Sequence, residues 1–217
     1  MMSFEVVRNL VGKSVKDIYG RYAGCVIGLS VDTLGHLKAI GVDEGMGNFA
    51  EYPSSRLLID NDSLIIIPAW KMDIERLKKE RIHTELRTKA LEELQRAGEI
   101  PPHVYRALSE QYKAEYEQLL ASYESLKETL EKRVEELNRQ KEGLERFLGA
   151  IKVQYKAGEI DEETYRATSE SIQSLLEKDE REKRDIEETL ESLKLPWEKP
   201  QQQEPALEEV VPASTTY

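Results

Sequence analysis

At 217 residues, 39% hydrophobic and 34% charged, the chain lacks the apolar content for a single large core and points to a small globular unit followed by extended helix. Its formal net charge of −11 is spread along the whole length, so no basic segment offers a nucleic-acid surface. The single Cys25 excludes an internal disulfide framework and a cysteine-based zinc cluster; no stretch nears the about 20 apolar residues of a membrane span and the start has no signal-peptide pattern, so a cytoplasmic protein is expected.

From Val6 to Pro68, short alternating or apolar runs are separated by turn residues, the pattern of a small all-β unit. Cys25–Val31 reads as one strand, Asp32-Thr33-Leu34-Gly35 as a turn and His36–Val42 as the returning strand. Leu57–Ile59 and Leu64–Ile67 pair across the turn cluster Asp60-Asn61-Asp62. Five or six such strands would close a compact barrel, which removes exposed edges. Cys25, beside Val26 and Ile27, reads as a small buried hydrophobe. The stretch Gly41-Val42-Asp43-Glu44-Gly45-Met46-Gly47 contains Gly-X-Gly, but no Gly-Lys-Ser/Thr and no helix start follows, so it reads as a flexible hairpin loop and not as a phosphate cradle.

Leu10-Val11-Gly12-Lys13-Ser14-Val15, then Gly20-Arg21-Tyr22-Ala23-Gly24-Cys25-Val26, the Asp-X-X-Gly hairpin and the final hairpin together resemble the PRC-barrel domain over essentially the first 70 residues. That resemblance implies an interaction module without shared catalytic residues.

Between Trp70 and Leu193 the only prolines are Pro101 and Pro102, and Glu, Lys, Arg, Gln and Leu dominate, which favours helix. The predicted first helix runs over Lys71–Ala97, with Ile74, Leu77, Leu86, Leu94 and Ala97 apolar. A central rod of about 57 residues, from Pro101 to Ala157, would span about 85 Å. Along it Tyr116, Tyr123, Leu130, Leu137, Leu144 and Ile151 recur every seventh position, the spacing of a coiled-coil seam and the candidate self-assembly surface. The companion positions Leu119, Leu126, Arg133, Gln140 and Phe147 are apolar at the ends and polar in the middle. The third helix, Asp161–Lys194, has Tyr165, Ile172, Ile186 and Leu193 at multiples of seven.

The rod is bracketed by two copies of one breaker, Ala97-Gly98-Glu99-Ile100 and Ala157-Gly158-Glu159-Ile160, each with a tyrosine five residues beyond the isoleucine. Gly98 and Gly158 stand where a closing helix turn needs a left-handed residue, so hinges are expected near 98–101 and 158–161. Ile100 with Tyr105 and Ile160 with Tyr165 have the spacing of a hydrophobic staple, Asp161 is a natural N-cap, and Pro102 suits the first helical position. If both hinges fold back, the outer helices cover the two halves of the rod and meet around Leu126 to Leu130. If they only kink, the rod is an extended multimeric coiled coil; either geometry predicts self-association.

His36, His83 and His103 lie in separate segments without ligand-type residues at metal spacing, and no nucleophile–base constellation is present. No catalytic, metal or cofactor site is therefore expected, and the chain is not expected to be an enzyme. After Leu193 comes a proline- and glutamine-rich stretch that cannot continue a helix, then the apolar island Ala206–Pro212. An apolar island on an acidic, disordered tether has the form of a short linear motif that docks by strand addition or in a groove.

This order of parts resembles the CdvA family of archaeal cell-division proteins across the full architecture. The resemblance implies polymers at the division site on the inner membrane face and recruitment of the ESCRT-III homologue CdvB, through its winged-helix domain, by residues within Pro205, Leu207, Val210, Val211 and Pro212. A generic adaptor of the PRC-barrel type, or a structural filament without such a partner, are the alternatives. For the membrane association attributed to the family, no basic amphipathic face or acyl motif is evident, and only Met1, Met2 and Phe4 could insert. The expected fold class is thus α+β: a β-barrel domain (1–70), a helical coiled-coil region (71–194) and a disordered tail (195–217), with the barrel at one end and the recruiting peptide beyond the other.

Overall fold

The computed structural model describes residues 8–60 and 63–193. Six strands, β1 (Ser14–Asp17), β2 (Tyr22–Val31), β3 (Leu37–Gly45), β4 (Asn48–Pro53), β5 (Leu57–Asp60) and β6 (Ser63–Ile66), form one sheet in the order β4-β3-β2-β1-β6-β5. All neighbours are antiparallel except β1 and β6, which run parallel. Along β3, alternation sends Ile40 and Val42 inward, and the core joins them with Leu10, Val15, Val26, Leu37, Leu57, Leu64 and Ile66, with Tyr52 packed against it. The core thus draws on every strand. No ladder joins the outer strands β4 and β5; a short 3-10 turn, Ser54–Arg56, links them instead.

Three expectations for this unit change. The stretch Gly41–Gly47 is not a loop: β3 continues to Gly45, and the turn is only Met46-Gly47, both at positive φ, the geometry that matches strand twist. β4, unrecognised in the sequence, follows at once, with the Phe49 ring lying over Gly41. Cys25 is only half-buried, because its neighbour Val26 takes the inward position and a bulge between Val26 and Gly28 turns Ile27 out to solvent.

Three helices follow: α1 (Ala69–Arg96), α2 (Pro102–Lys156) and α3 (Glu162–Leu193). Both hinges close in the same way. Gly98 and Gly158 have φ of 71° and 76°, and their amides donate to Gln95 and Tyr155 while those of Glu99 and Glu159 reach back to Leu94 and Gln154. These paired bonds satisfy the carbonyls that a helix end leaves bare. Asp161 then caps α3, its Oδ1 accepting the Thr164 amide at 2.7 Å, and this bond holds the carboxyl below the usual carboxylate range.

Both hinges fold back. Tyr116 of α2 lies beside Arg81 and Glu85 of α1, whereas Tyr165 of α3, read as the staple partner of Ile160, stacks on Tyr155 of α2 at 4.5 Å. The outer helices meet over the middle of α2, where Ile74, Tyr123, Leu130, Leu137, Ile186 and Leu193 form one buried cluster. Tyr123 Oη donates to the Leu193 carbonyl at 3.3 Å there. The β-domain and the end of α3 therefore share the waist of the rod and do not sit at opposite ends.

Candidate docking and assembly surfaces

The β-domain is fastened to the rod by one turn. Between β1 and β2, Asp17 Oδ1 accepts the Tyr19 and Arg21 amides at 2.9 and 2.8 Å, and its Oδ2 takes Arg21 Nε at 2.7 Å. That Asx-type turn presents Tyr19 and Arg21 to α3. The guanidinium spreads its fork over two carboxylates of α3, Nη1 to Asp179 at 3.1 Å and Nη2 to Glu182 at 2.5 Å. Glu182 also receives Arg133 of α2 at 3.0 and 2.9 Å, so one carboxylate ties three parts of the chain. Asp185 accepts Tyr19 Oη at 2.7 Å and holds Lys71 of α1 at 2.6 Å.

Four carboxylates thus meet three cations, and the side chains of Asp179 and Glu182 are only 3% and 6% exposed. Burial and the hydrogen bond to Asp185 push the Tyr19 phenol well above its ordinary value. For Arg21 burial works against the charge, but Asp17 and Glu182 outweigh it and the net shift is upward; the hydrogen bond to Glu182 raises Arg133 likewise. Both arginines are fixed cations at any accessible pH. Asp179 Oδ2 is buried without a hydrogen-bond partner among the described residues, which makes Arg21 its main compensation.

The expected seam is placed inside one chain. Tyr116, Tyr123, Leu130 and Leu137 are buried between α2 and its flanking helices, and Leu144 and Ile151 are half-buried. Side chains that remain available on the rod lie elsewhere: Ile82, Leu86 and Leu94 on α1, Phe147 and Val153 on α2, and Leu175 on α3. The candidate docking residues Pro205, Leu207, Val210, Val211 and Pro212 lie outside the described residues, as do Met1, Met2 and Phe4.

The clamp was missed in the sequence, although its signal is there. The heptad Tyr165, Ile172, Ile186, Leu193 skips position 179, and the residue at the gap is the buried Asp179. The polar break in the companion stripe of α2 is Arg133, which reaches Glu182. Two interruptions in two apolar stripes mark one docking point.

Among the described residues no helix is long and apolar enough to cross a membrane, and no group of three His, Cys, Asp or Glu is placed to hold a metal ion.

A long polar helix that receives a partner helix on each half of one heptad seam, with a small β-domain clamped at its waist, defines a coiled-coil protein. Its sequence matches the model of the CdvA-like coiled-coil domain over residues 69–213, two thirds of the chain, and the chain belongs to that family. It is also similar to "Cell division protein A" of Sulfolobus acidocaldarius, at 29% identity over 168 residues that cover 77% of this chain and 70% of the relative.

Proposed function

We propose that the chain is a non-enzymatic scaffold of archaeal cell division that assembles into filaments at the division site, on the inner face of the membrane, and recruits the ESCRT-III homologue CdvB through its C-terminal peptide. The observation that carries this reading is the extent of the family match: it starts with α1 and runs to residue 213, through Pro205–Pro212. The relative's name supports the division role. A two-layer helical rod with apolar side chains left at its surface supports self-association.

The test compares the full chain with one lacking Glu204–Tyr217. Electron microscopy of the full chain is expected to show long regular filaments, and the shortened chain to sediment as before but no longer bind the winged-helix domain of CdvB in a pull-down. A discrete small oligomer would end the filament reading. Undiminished binding by the shortened chain would end the tail assignment.

A further inference from the structure

Charge is unevenly divided among the helices. α1 carries eight basic and six acidic side chains, α2 ten of each, and α3 five basic and eleven acidic. On α1, Ile82 and Leu86 are 48% and 58% exposed, one turn apart on the side away from the buried Leu77, Thr84 and Leu91. Lys79 and Lys89 flank them and Arg87 stands at the edge of the face, all exposed and none in an ion pair among the described residues; the exposed Glu75, held by Lys78 at 3.6 Å, and Glu93 bound the same column at its two ends. This is a basic face with an apolar centre that the chain itself leaves uncovered.

The matching surface is on α3. Glu163, Glu170 and Glu177 are exposed and seven residues apart, hence in one column; Glu163 and Glu170 have no ion-pair partner among the described residues, and Glu177 holds Arg181 only at 3.8 Å. Beside the column lies a shallow depression of about 510 Å³ lined by Glu170, Ser171, Ser174, Leu175 and Lys178, room for an aliphatic side chain.

These two faces cannot meet within one chain. The α1 face lies near Tyr116 of α2, and the α3 column lies along the stretch from Tyr155, which stacks on Tyr165, to Lys141, which holds Glu180; from Tyr116 to Lys141 alone is about 37 Å along the helix. Pairing α1 with α1 would oppose three cations to three cations, and α3 with α3 would oppose glutamates. The geometry points to head-to-tail contact: the basic apolar face of α1 in one copy docks on the acidic column of α3 in the next, with Ile82 and Leu86 facing the depression at Leu175. Between copies in the same orientation, two complementary faces at opposite ends of a rod give a heterologous contact that propagates; an antiparallel pair would satisfy both faces and close as a dimer, so a wild type that stops at the dimer would overturn the head-to-tail arrangement. The inference rests on the self-assembly proposed above and names the surfaces responsible.

Charge reversal in the full chain tests it. Lys79→Glu/Arg87→Glu/Lys89→Glu and Glu163→Lys/Glu170→Lys/Glu177→Lys are each expected to raise the concentration needed for sedimentation at least tenfold, with unchanged circular dichroism. Mixing the two variants pairs each altered face with its complement in the other, so assembly should return, and a chain bearing all six changes should assemble alone. Assembly of the wild type should also weaken with added salt, since exposed charges are screened within ~8 Å at physiological ionic strength. Wild-type filaments together with unaffected triple variants would overturn this interface and leave the filament reading intact. Absence of wild-type assembly would overturn both. Loss of assembly in both triples without recovery in the mixture would overturn the pairing of these two faces. Undisturbed sedimentation with lost binding to anionic phosphatidylserine vesicles would make the α1 face a lipid surface, and the proposal wrong.

Discussion

The two hairpins turn on the same cap and differ in what holds their arms. In the first, α1 lies on α2 through Leu77, Thr84 and Leu91 opposite Tyr116 and Leu119, and leaves Ile82 and Leu86 in water. In the second, α3 is held by Ile172, Ile186 and Leu193 and also by Asp179 and Glu182, buried under arginines from α2 and from the β-domain. Apolar contact tolerates sliding by a turn at modest cost, whereas a forked guanidinium shared between two carboxylates fits one register. The second hairpin is therefore the one whose position is specified, and the first is the one with surface to spare.

The largest way to break the contrast is at the waist, where both hairpins share a core. Leu130→Glu places an unpaired charge at a position 1% exposed and is expected to cost about 4 kcal/mol or more, loosening both arms together. Cross-links between residues 80 and 118 and between Lys141 and Glu180 should both be lost; survival of either would show that the arms do not depend on the common core. The analogous glutamate at Leu137 should likewise act on the hairpin before it acts on any contact between chains.

Arg21→Ala separates the hairpins. It strands Asp179, while Glu182 keeps Arg133, and is expected to cost about 3 kcal/mol, confined to α3 and the β-domain. Hydrogen exchange should accelerate over 162–193 and stay unchanged over 69–96; uniform acceleration would contradict the separation. Arg21→Lys should rescue little, since one ammonium cannot serve two carboxylates as the fork does.

A smaller effect treats the hairpins alike. Gly98→Ala and Gly158→Ala each force a side chain into a left-handed conformation, at about 1 kcal/mol, with open space around either position. Thermal melts followed at 222 nm should shift equally for the two variants, and a large difference would mean that one hinge does more than end a helix.

The smallest expected effect is alkaline. With the Tyr19 phenol raised in the folded chain, its contribution is full below the ordinary tyrosine value and is lost as pH climbs past about 10, when a phenolate would face Asp185. Tyr19→Phe should cost about 1 kcal/mol at neutral pH and flatten that alkaline decline in a denaturation series. An unaltered pH profile would place the decline elsewhere.

Local chemistry made much of this legible. The hinges could be read because one glycine and its neighbours decide a helix end, and the fold-back followed from helix lengths that nearly match the rod. The strand β4 was hidden because the turn that leads into it, Met46-Gly47, looks like the continuation of a glycine-rich loop, and the chain shows no apolar run after it. The clamp was hidden for a different reason: Arg21 lies 158 residues from Asp179, and nothing local reveals that a polar residue in a heptad is buried under a partner. The seam residues were found, but a period of seven cannot tell a partner helix of the same chain from one of another.

Because α3 returns to the middle of α2, each tip of the rod is a bare turn, and the exit of the chain after Leu193 lies beside the β-domain. A peptide hung there works like a mark at the midpoint of a measuring stick. In the proposed filament, whatever bound it would be delivered at intervals fixed by the length of the stick, and the overlap of one stick with the next would set the spacing.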